Sequence, residues 1–198
     1  MRKILVIAAA SALAACSSGD ATSAPTEQLH FLDVAAGAPS LANPADSFWA
    51  VSGQSRRLRI YYQPSEPGED SSLLLEFKVG AQSLLRRPDG SAFAPGDSIL
   101  IHVSVVDTAH MIVAFQPAGL VFSSVYPAHL IFGFGEADHD VDDDGHVTAA
   151  DSTLLASVHL WRQETTGAPW VQLPTSVTLS DDEAKSDIFS FTNYALAY

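Results

Sequence analysis

An acidic stretch late in the chain has residue types and spacing that suit a metal ion. If Asp140 is position 1 of a twelve-residue calcium loop, Gly145 falls at position 6, where such a loop turns most sharply. The same register supplies oxygen donors at positions 1, 3, 5, 7, 9 and 12. Those positions hold Asp140, Asp142, Asp144, His146 through its carbonyl, Thr148 and Asp151. The sequence therefore predicts that these residues bind one Ca²⁺ ion.

The closing residue of this loop departs from the usual EF-hand pattern. Asp151 is one methylene shorter than the Glu that most EF-hands place there, and Ser-Thr-Leu-Leu follows it. Both features resemble the calcium loop of dockerin modules. Dockerins carry two such repeats and this sequence has one, so no cellulosome-type partner is expected. We expect the imidazole of His146 to face solvent and Val147 to pack under the loop. The alternative is a solvated acidic loop without an ion.

Groups that could carry out catalysis are harder to find. The sequence has no Gly-x-Ser-x-Gly motif, no phosphate-binding loop and one cysteine, so no activated nucleophile is indicated. Most histidines are scattered without zinc-ligand spacing. They are His30, His102, His110, His129 and His159. We therefore expect a protein that is not an enzyme. The alternative is an envelope hydrolase in which the loop acids activate water through the metal.

A group of aromatic residues raises another alternative, a glycan-binding module. Side chains that share an exposed sheet face can stack on sugar rings, although alternating aromatics in strands more often belong to the core. The residues concerned are Trp49, Tyr61, Tyr62, Trp161 and Trp170. Two basic clusters, Arg56-Arg57-Arg59 and Arg86-Arg87, are expected to be edge-strand charges that block association between sheets.

The start of the chain has the features of a bacterial lipoprotein signal. Arg2 and Lys3 precede an apolar run that is too short to span a bilayer. The run ends in Leu-Ala-Ala-Cys at Cys16, which resembles the lipobox whose cysteine becomes acylated; an ordinary signal peptide would leave a free thiol. We expect residues 1–15 to be the signal peptide. Residues 16–28 are expected to be the lipidated cysteine and a flexible tether, since the segment is small and polar.

Lipidation of Cys16 predicts a membrane anchor and a place in the bacterial cell envelope, because lipoprotein-type anchors hold firmly. Ser17 after the cysteine resembles the pattern that directs lipoproteins to the outer membrane. The formal net charge is −13, and loss of Arg2 and Lys3 with the signal takes it to −15. Such an acidic surface repels nucleic acid. The expected partners are the membrane through the anchor and an envelope protein or glycan.

Residues 29–198 are expected to form a mainly β fold, an antiparallel β-sandwich of about ten strands. Short apolar or alternating runs are separated by Gly, Pro, Asp and Ser. The clearest strand covers residues 98–105, where the odd-numbered residues are apolar, β-branched and on one face. Residues 48–51 and 57–62 are predicted to form a first hairpin. The calcium loop and one short helix near residues 149–156 make an insert at residues 136–156.

The last part of the chain resembles a known β-sandwich family. The segments at residues 116–122, 126–130 and 191–198, with Trp161 and Trp170 between them, are similar to the domain shared by zonula-occludens proteins, netrin receptors and ankyrins. The resemblance covers residues 77–198 apart from the acidic insert, and it implies a β-sandwich. Some members cleave themselves at His-Phe-Ser. The matching Ser190-Phe191-Thr192 lacks the histidine base, so no self-cleavage is expected.

Overall fold

The structure is a computed structural model that describes residues 21–198. The predicted signal peptide and Cys16 lie outside the described residues. The described strands are β1 (Ser23–Ala24), β2 (Ala45–Val51), β3 (Arg56–Tyr61), β4 (Leu73–Val79), β5 (Leu84–Arg86), β6 (Ser98–Asp107), β7 (Ile112–Gln116), β8 (Val121–Phe122), β9 (Ala128–Gly133), β10 (His159–Gln163), β11 (Trp170–Gln172), β12 (Ser176–Thr178), β13 (Glu183–Ile188) and β14 (Asn193–Ala197). The helix α1 spans Ala149–Ala156, and a 3-10 helix spans Thr26–Gln28. Within residues 21–198, no helix has both the length and the apolar character needed to cross a membrane.

Most strands belong to two antiparallel sheets packed face to face. One sheet has seven strands in the order β1-β11-β10-β14-β7-β6-β2, and the other has five in the order β12-β13-β9-β4-β3. β5 and β8 form a separate pair. The prediction of a mainly β, antiparallel sandwich with one short helix is confirmed. The sequence predicted fewer strands than the structure has, because alternation over two or three residues is too short to recognise.

The core lies between the two sheets and is rich in phenylalanine. The ring of Phe77 on β4 lies 5.1 Å from that of Phe115 on β7 and 5.5 Å from that of Phe191, which precedes β14. Contacts of this kind each contribute about 0.5–1.5 kcal/mol beyond simple burial. On β6, Ile101 and Val103 are fully buried, as their alternation predicted. Packing between the two faces therefore holds the sheets together.

The prediction of a first hairpin is wrong. β2 and β3 are joined by a tight turn, with a φ of +95° at Gly53, but they belong to different sheets. β2 pairs with β6 along its length, and β3 pairs with β4. Leu58 and Ile60 on β3 are buried, so the inward face of that strand was predicted correctly. Alternation identifies the face that meets the core, but it does not identify the neighbouring strand.

The structure differs from the sequence prediction at the end of the tether. Ser23 and Ala24 of β1 pair with Val171 and Trp170 of β11. The indole Nε1 of Trp170 also donates a hydrogen bond to Thr26 Oγ1 across 3.2 Å. A small, polar composition predicted a flexible segment, but backbone pairing needs no apolar side chain. These residues are therefore part of the sandwich.

Candidate metal centre

The acidic loop lies between β9 and β10, where the sequence predicted an insert, and it leads directly into α1. The Thr148 hydroxyl accepts a hydrogen bond from the N–H of Ala150 at 3.1 Å, and the N–H of Thr148 donates to Asp151 Oδ2 at 2.7 Å. Reciprocal caps of this kind start a helix, and loss of the cap residue costs about 0.5–2 kcal/mol. The predicted short helix after the loop is confirmed.

Three of the predicted ligands, Asp140, Asp142 and Asp144, form a cluster that we call the aspartate triad. One carboxylate oxygen from each lies within 4.8 Å of the other two. Asp140 also accepts hydrogen bonds from the N–H groups of Asp144 at 3.1 Å and Gly145 at 2.8 Å. Gly145 has a φ of +86° with no heavy atom near the position of a Cβ, so glycine is needed for its backbone conformation. The loop therefore turns three carboxylates toward one centre.

The electrostatics of the triad favour a cation. The pKa of Asp142 is raised above its ordinary value, chiefly because the carboxylate is desolvated and also because Asp144, Asp151 and Asp140 repel it. A hydrogen bond from the N–H of Asp144 acts in the opposite direction. The raised pKa means that ionisation of Asp142 is disfavoured without a counter-charge. A divalent cation at the centre would supply that charge.

Asp151 lies apart from the triad. Its side chain is fully buried. Its Oδ1 accepts hydrogen bonds from the N–H groups of Val141 and Asp142, and its Oδ2 accepts from the N–H and hydroxyl of Thr148. These bonds lower the pKa of Asp151, and the bond from the Thr148 N–H has the largest effect. All four bonds come from protein donors, so Asp151 connects the start of the loop to the start of α1.

The structure agrees with the sequence prediction for His146 but not for Val147, two of the residues between the triad and α1. His146 is exposed as expected, and its N–H donates to Asp144 Oδ1 at 2.8 Å. Val147 is 67% exposed, so the prediction that it packs under the loop is wrong. Val141 packs against the core instead. The loop meets the sandwich through its first residues, and the apolar contact therefore forms there.

Contacts from outside the loop hold it on the sandwich, and the sequence did not predict them. The hydroxyl of Tyr198 donates to the carbonyl of Val141 at 2.9 Å, between residues 57 positions apart. The ring of His30 stacks on Tyr198 with centroids 5.5 Å apart. The N–H of Asp138 donates to the carbonyl of Asp33 at 2.8 Å. No local pattern could have identified these partners, because each contact joins distant segments.

A pocket of about 280 Å³ lies beside the loop. Its polar lining consists of His30, Asp33, His110, Asp138, Asp140, Asp143 and Tyr198. Substrate pockets are usually lined by apolar side chains with a few polar groups, and a catalytic metal faces such a pocket. Four of the eleven residues that line this pocket carry carboxylates, so it suits a cation better than an organic substrate.

The histidines and aromatic residues considered as alternatives do not come together at a common site. Within residues 21–198, the triad is the one cluster of His, Cys, Asp or Glu with metal-binding spacing, and none of the scattered histidines belongs to it. Tyr62, Trp161 and Trp170 are buried in the core, whereas Trp49 is 59% exposed. The five aromatic residues therefore do not form a common exposed platform for sugar rings.

Comparison with known proteins identifies no relative of this chain. No family model, curated protein or solved structure matches the chain. The resemblances to bacterial lipoproteins, to dockerin loops and to the zonula-occludens, netrin-receptor and ankyrin domain stay predictions.

Proposed function

We propose that this chain is a non-catalytic binding or scaffolding protein of the bacterial cell envelope that carries one structural calcium ion. The observation that supports the calcium assignment is the convergence of three carboxylates beside a left-handed glycine. Calcium takes six to eight oxygen ligands, so the triad, the carbonyl of His146 and water can complete its shell. Thr148 and Asp151 then position the loop and remain candidate ligands if their protein hydrogen bonds rearrange.

A structural role for the ion is favoured over a catalytic one. Asp142 and Asp144 are exposed on the loop, and four carboxylates line the adjoining pocket. Hydrolysis develops negative charge on the substrate in the transition state, and carboxylates would repel that charge. An ion in this place therefore supports the loop more readily than it activates water.

The proposed anchor is supported by the sequence of the signal region. The lipobox-like Leu-Ala-Ala-Cys places the single cysteine at Cys16. β1 begins a few residues later, at Ser23. The anchor would therefore hold the sandwich close to the membrane, because six residues of extended chain span at most about 20 Å. An envelope protein or a glycan is the expected partner at that surface.

Calorimetric titration of the mature chain with calcium tests the metal site. We expect one ion to bind with a Kd of about 10⁻⁴–10⁻³ M, the range of extracellular calcium modules. Asp144→Ala removes a triad oxygen and should abolish the binding heat. The matched control is Asp143→Asn, which also removes one charge but lies outside the triad and should retain binding. An absence of calcium heat in the parent chain would refute the site, as would equal losses in the two variants.

Fractionation of cells that express the full chain tests the anchor. We expect the parent chain in the membrane fraction, labelled by radioactive palmitate. Cys16→Ser should move it to the soluble envelope fraction, because the thiol that carries the acyl chains is gone. Retention of Cys16→Ser in the membrane fraction, or a parent chain that takes up no label, would contradict the proposal.

A further inference from the structure

The outer face of the five-stranded sheet carries like charges on neighbouring strands. Cross-strand pairing places Arg57 on β3 opposite Lys78 on β4, and Lys78 opposite His129 on β9. We call these three residues the basic row. All three side chains are exposed. Residues directly opposite each other have Cβ atoms about 4.5–5.5 Å apart, so the like charges of Arg57 and Lys78 repel each other.

The acids on this face leave part of the row without a partner. Each acid is already paired with a basic group: Glu76 with Arg59, Asp187 with His129, and Glu183 with Lys185. Glu76 also lies 3.8 Å from Arg57, which remains 61% exposed. Within residues 21–198, Lys78 makes no ion pair. An anion from outside the chain would relieve the repulsion around Lys78.

A groove of about 620 Å³ lies beside Lys78 and His129 of the basic row. Its charged lining consists of Lys78, Lys185, Glu76 and Asp187, and its apolar lining includes Ile131 and Pro174. Lys78 also lines an adjoining depression of about 330 Å³ with Ser55, Arg56 and Arg57. The two depressions together are lined by four Lys and Arg residues and two acids, beside apolar surface.

This face differs in charge from the rest of the chain. Its strands project four of the ten Lys and Arg residues and three of the 23 Asp and Glu residues, a net charge of +1. The basic residues are Arg57, Arg59, Lys78 and Lys185, and the acids are Glu76, Glu183 and Asp187. Since the whole chain carries −13, the remainder carries −14. An anionic partner is therefore repelled less at this face than elsewhere on the chain.

We propose that the groove binds a linear polysaccharide whose sugar units carry carboxylate groups. Carboxylates pair with Lys78 and Arg57 through charge-assisted hydrogen bonds, and the apolar C–H faces of the sugar rings pack on Ile131 and Pro174. This inference rests on the proposed binding role in the cell envelope, and it says which class of molecule is bound. It does not involve the calcium loop, because the groove and the aspartate triad share no residue.

The construction of the groove favours a polysaccharide over other polyanions. The strands β9, β4 and β13 are interior strands, so an added peptide strand could pair only with the edge strands β3 and β12 and not along the middle of the groove. No Trp, Tyr or Phe lines either depression, so neither a proline-rich peptide nor stacked nucleotide bases find an aromatic platform. A carboxylated sugar chain needs only basic groups beside apolar surface.

Titration of the mature chain with an oligogalacturonate tests the inference, first in EDTA and then in calcium. We expect binding in both buffers, weakened by added salt, because exposed charges are screened beyond about 10 Å at 0.1 M ionic strength. Lys78→Gln and Arg57→Gln should each weaken binding by about two- to fivefold. The matched control Arg86→Gln removes an exposed arginine on β5, outside the groove, and should bind as the parent does.

Thermal unfolding checks that the Lys78→Gln variant still folds. Its melting temperature should be no lower than that of the parent, because the substitution relieves the repulsion between Lys78 and Arg57.

Several results would overturn the inference. The first two are an absence of binding in either buffer and binding in calcium alone. The third is an Arg86→Gln variant that binds the oligogalacturonate as weakly as Lys78→Gln does. The fourth is poly-L-glutamate that binds as tightly as the oligogalacturonate. The last result would indicate an acidic peptide partner. Because the titration in EDTA requires no ion in the loop, polysaccharide binding can succeed where calcium binding fails, and the two proposals are tested separately.

Discussion

At the scale of single residues, His110 connects two acidic side chains from different segments. Its Nδ1 lies 2.8 Å from Asp107 Oδ2 on β6, and its Nε2 lies 3.3 Å from Asp33 Oδ1 near the start of the sandwich. The hydrogen bond to Asp107 is the main reason that the pKa of His110 is raised above 6.5 and the pKa of Asp107 is lowered below 3.8. The pair therefore favours the folded state most when His110 is protonated and Asp107 is ionised.

The sign of these shifts predicts how stability depends on pH. The contribution of His110 is complete below pH 6.5 and is lost as the pH rises through the higher folded-state pKa. The contribution of Asp107 is lost as the pH falls through its lowered pKa. Because both groups are partly exposed, the effect is about 1 kcal/mol or less.

Urea unfolding at about pH 5.5 and about pH 8.5 measures this effect around the ordinary pKa of histidine. We expect His110→Gln to lose more free energy of unfolding at the lower pH than at the higher pH. The control His102→Gln removes an exposed histidine that makes no ion pair within the described part of the chain. An equal loss at both pH values for His110→Gln would contradict the assignment.

At the scale of secondary-structure elements, β9 supports both the five-stranded sheet and the loop. It pairs with β4 on one side and with β13 on the other, and the chain enters the acidic insert soon after it ends. Gly133, its last residue, lies so close to Leu73 that a Cβ would overlap the Leu73 carbonyl oxygen. Only glycine allows the two backbones to approach in this way.

Gly133→Ala should therefore lower the free energy of unfolding by about 1–3 kcal/mol, the usual cost of overpacking. The clash is with backbone, which cannot turn away as a side chain can. Gly135→Ala is the control, because its Cβ would meet Asp182 Oδ2 at 3.6 Å, an ordinary contact. Thermal or urea unfolding of the two variants provides the comparison. If both are as stable as the parent, the close approach of the two backbones is not present in solution.

At the scale of the whole molecule, the loop joins distant parts of the sandwich. Val34 forms a β-bridge with Ala137, and the hydroxyl of Tyr198 bonds to the carbonyl of Val141. The segment before β2, the insert and the last residue are thus connected through one region. An ion that binds the folded loop but not the unfolded chain stabilises the entire native state by mass action.

Calcium should therefore raise the melting temperature of the sandwich. At a concentration 100 times Kd the gain is about 2.7 kcal/mol, or about 5–10 °C for a domain of this size. Differential scanning calorimetry in EDTA and in calcium measures the shift. Asp144→Ala should melt at the same temperature in both buffers. A parent chain that melts identically with and without calcium would show that the ion does not couple to folding.

Local sequence patterns predicted the features of the structure that depend on residues close together in the sequence. Alternation placed Ile101 and Val103 in the core, because successive residues of a strand point to opposite faces. The spacing of Asp140, Asp142 and Asp144 around a glycine turn brought their carboxylates together. The short helix after the loop was predicted for the same reason, since a helix start depends on the few residues beside it.

Only the tertiary structure decided which distant segments meet. It paired β2 with β6 instead of β3, and it brought Arg57, Lys78 and His129 into one row from three strands. It also docked the loop through Val141 and Tyr198, where the local pattern favoured Val147. Many strand orders satisfy the same alternation of buried and exposed residues. The choice among them depends on how the two sheets pack, which is a property of the whole chain.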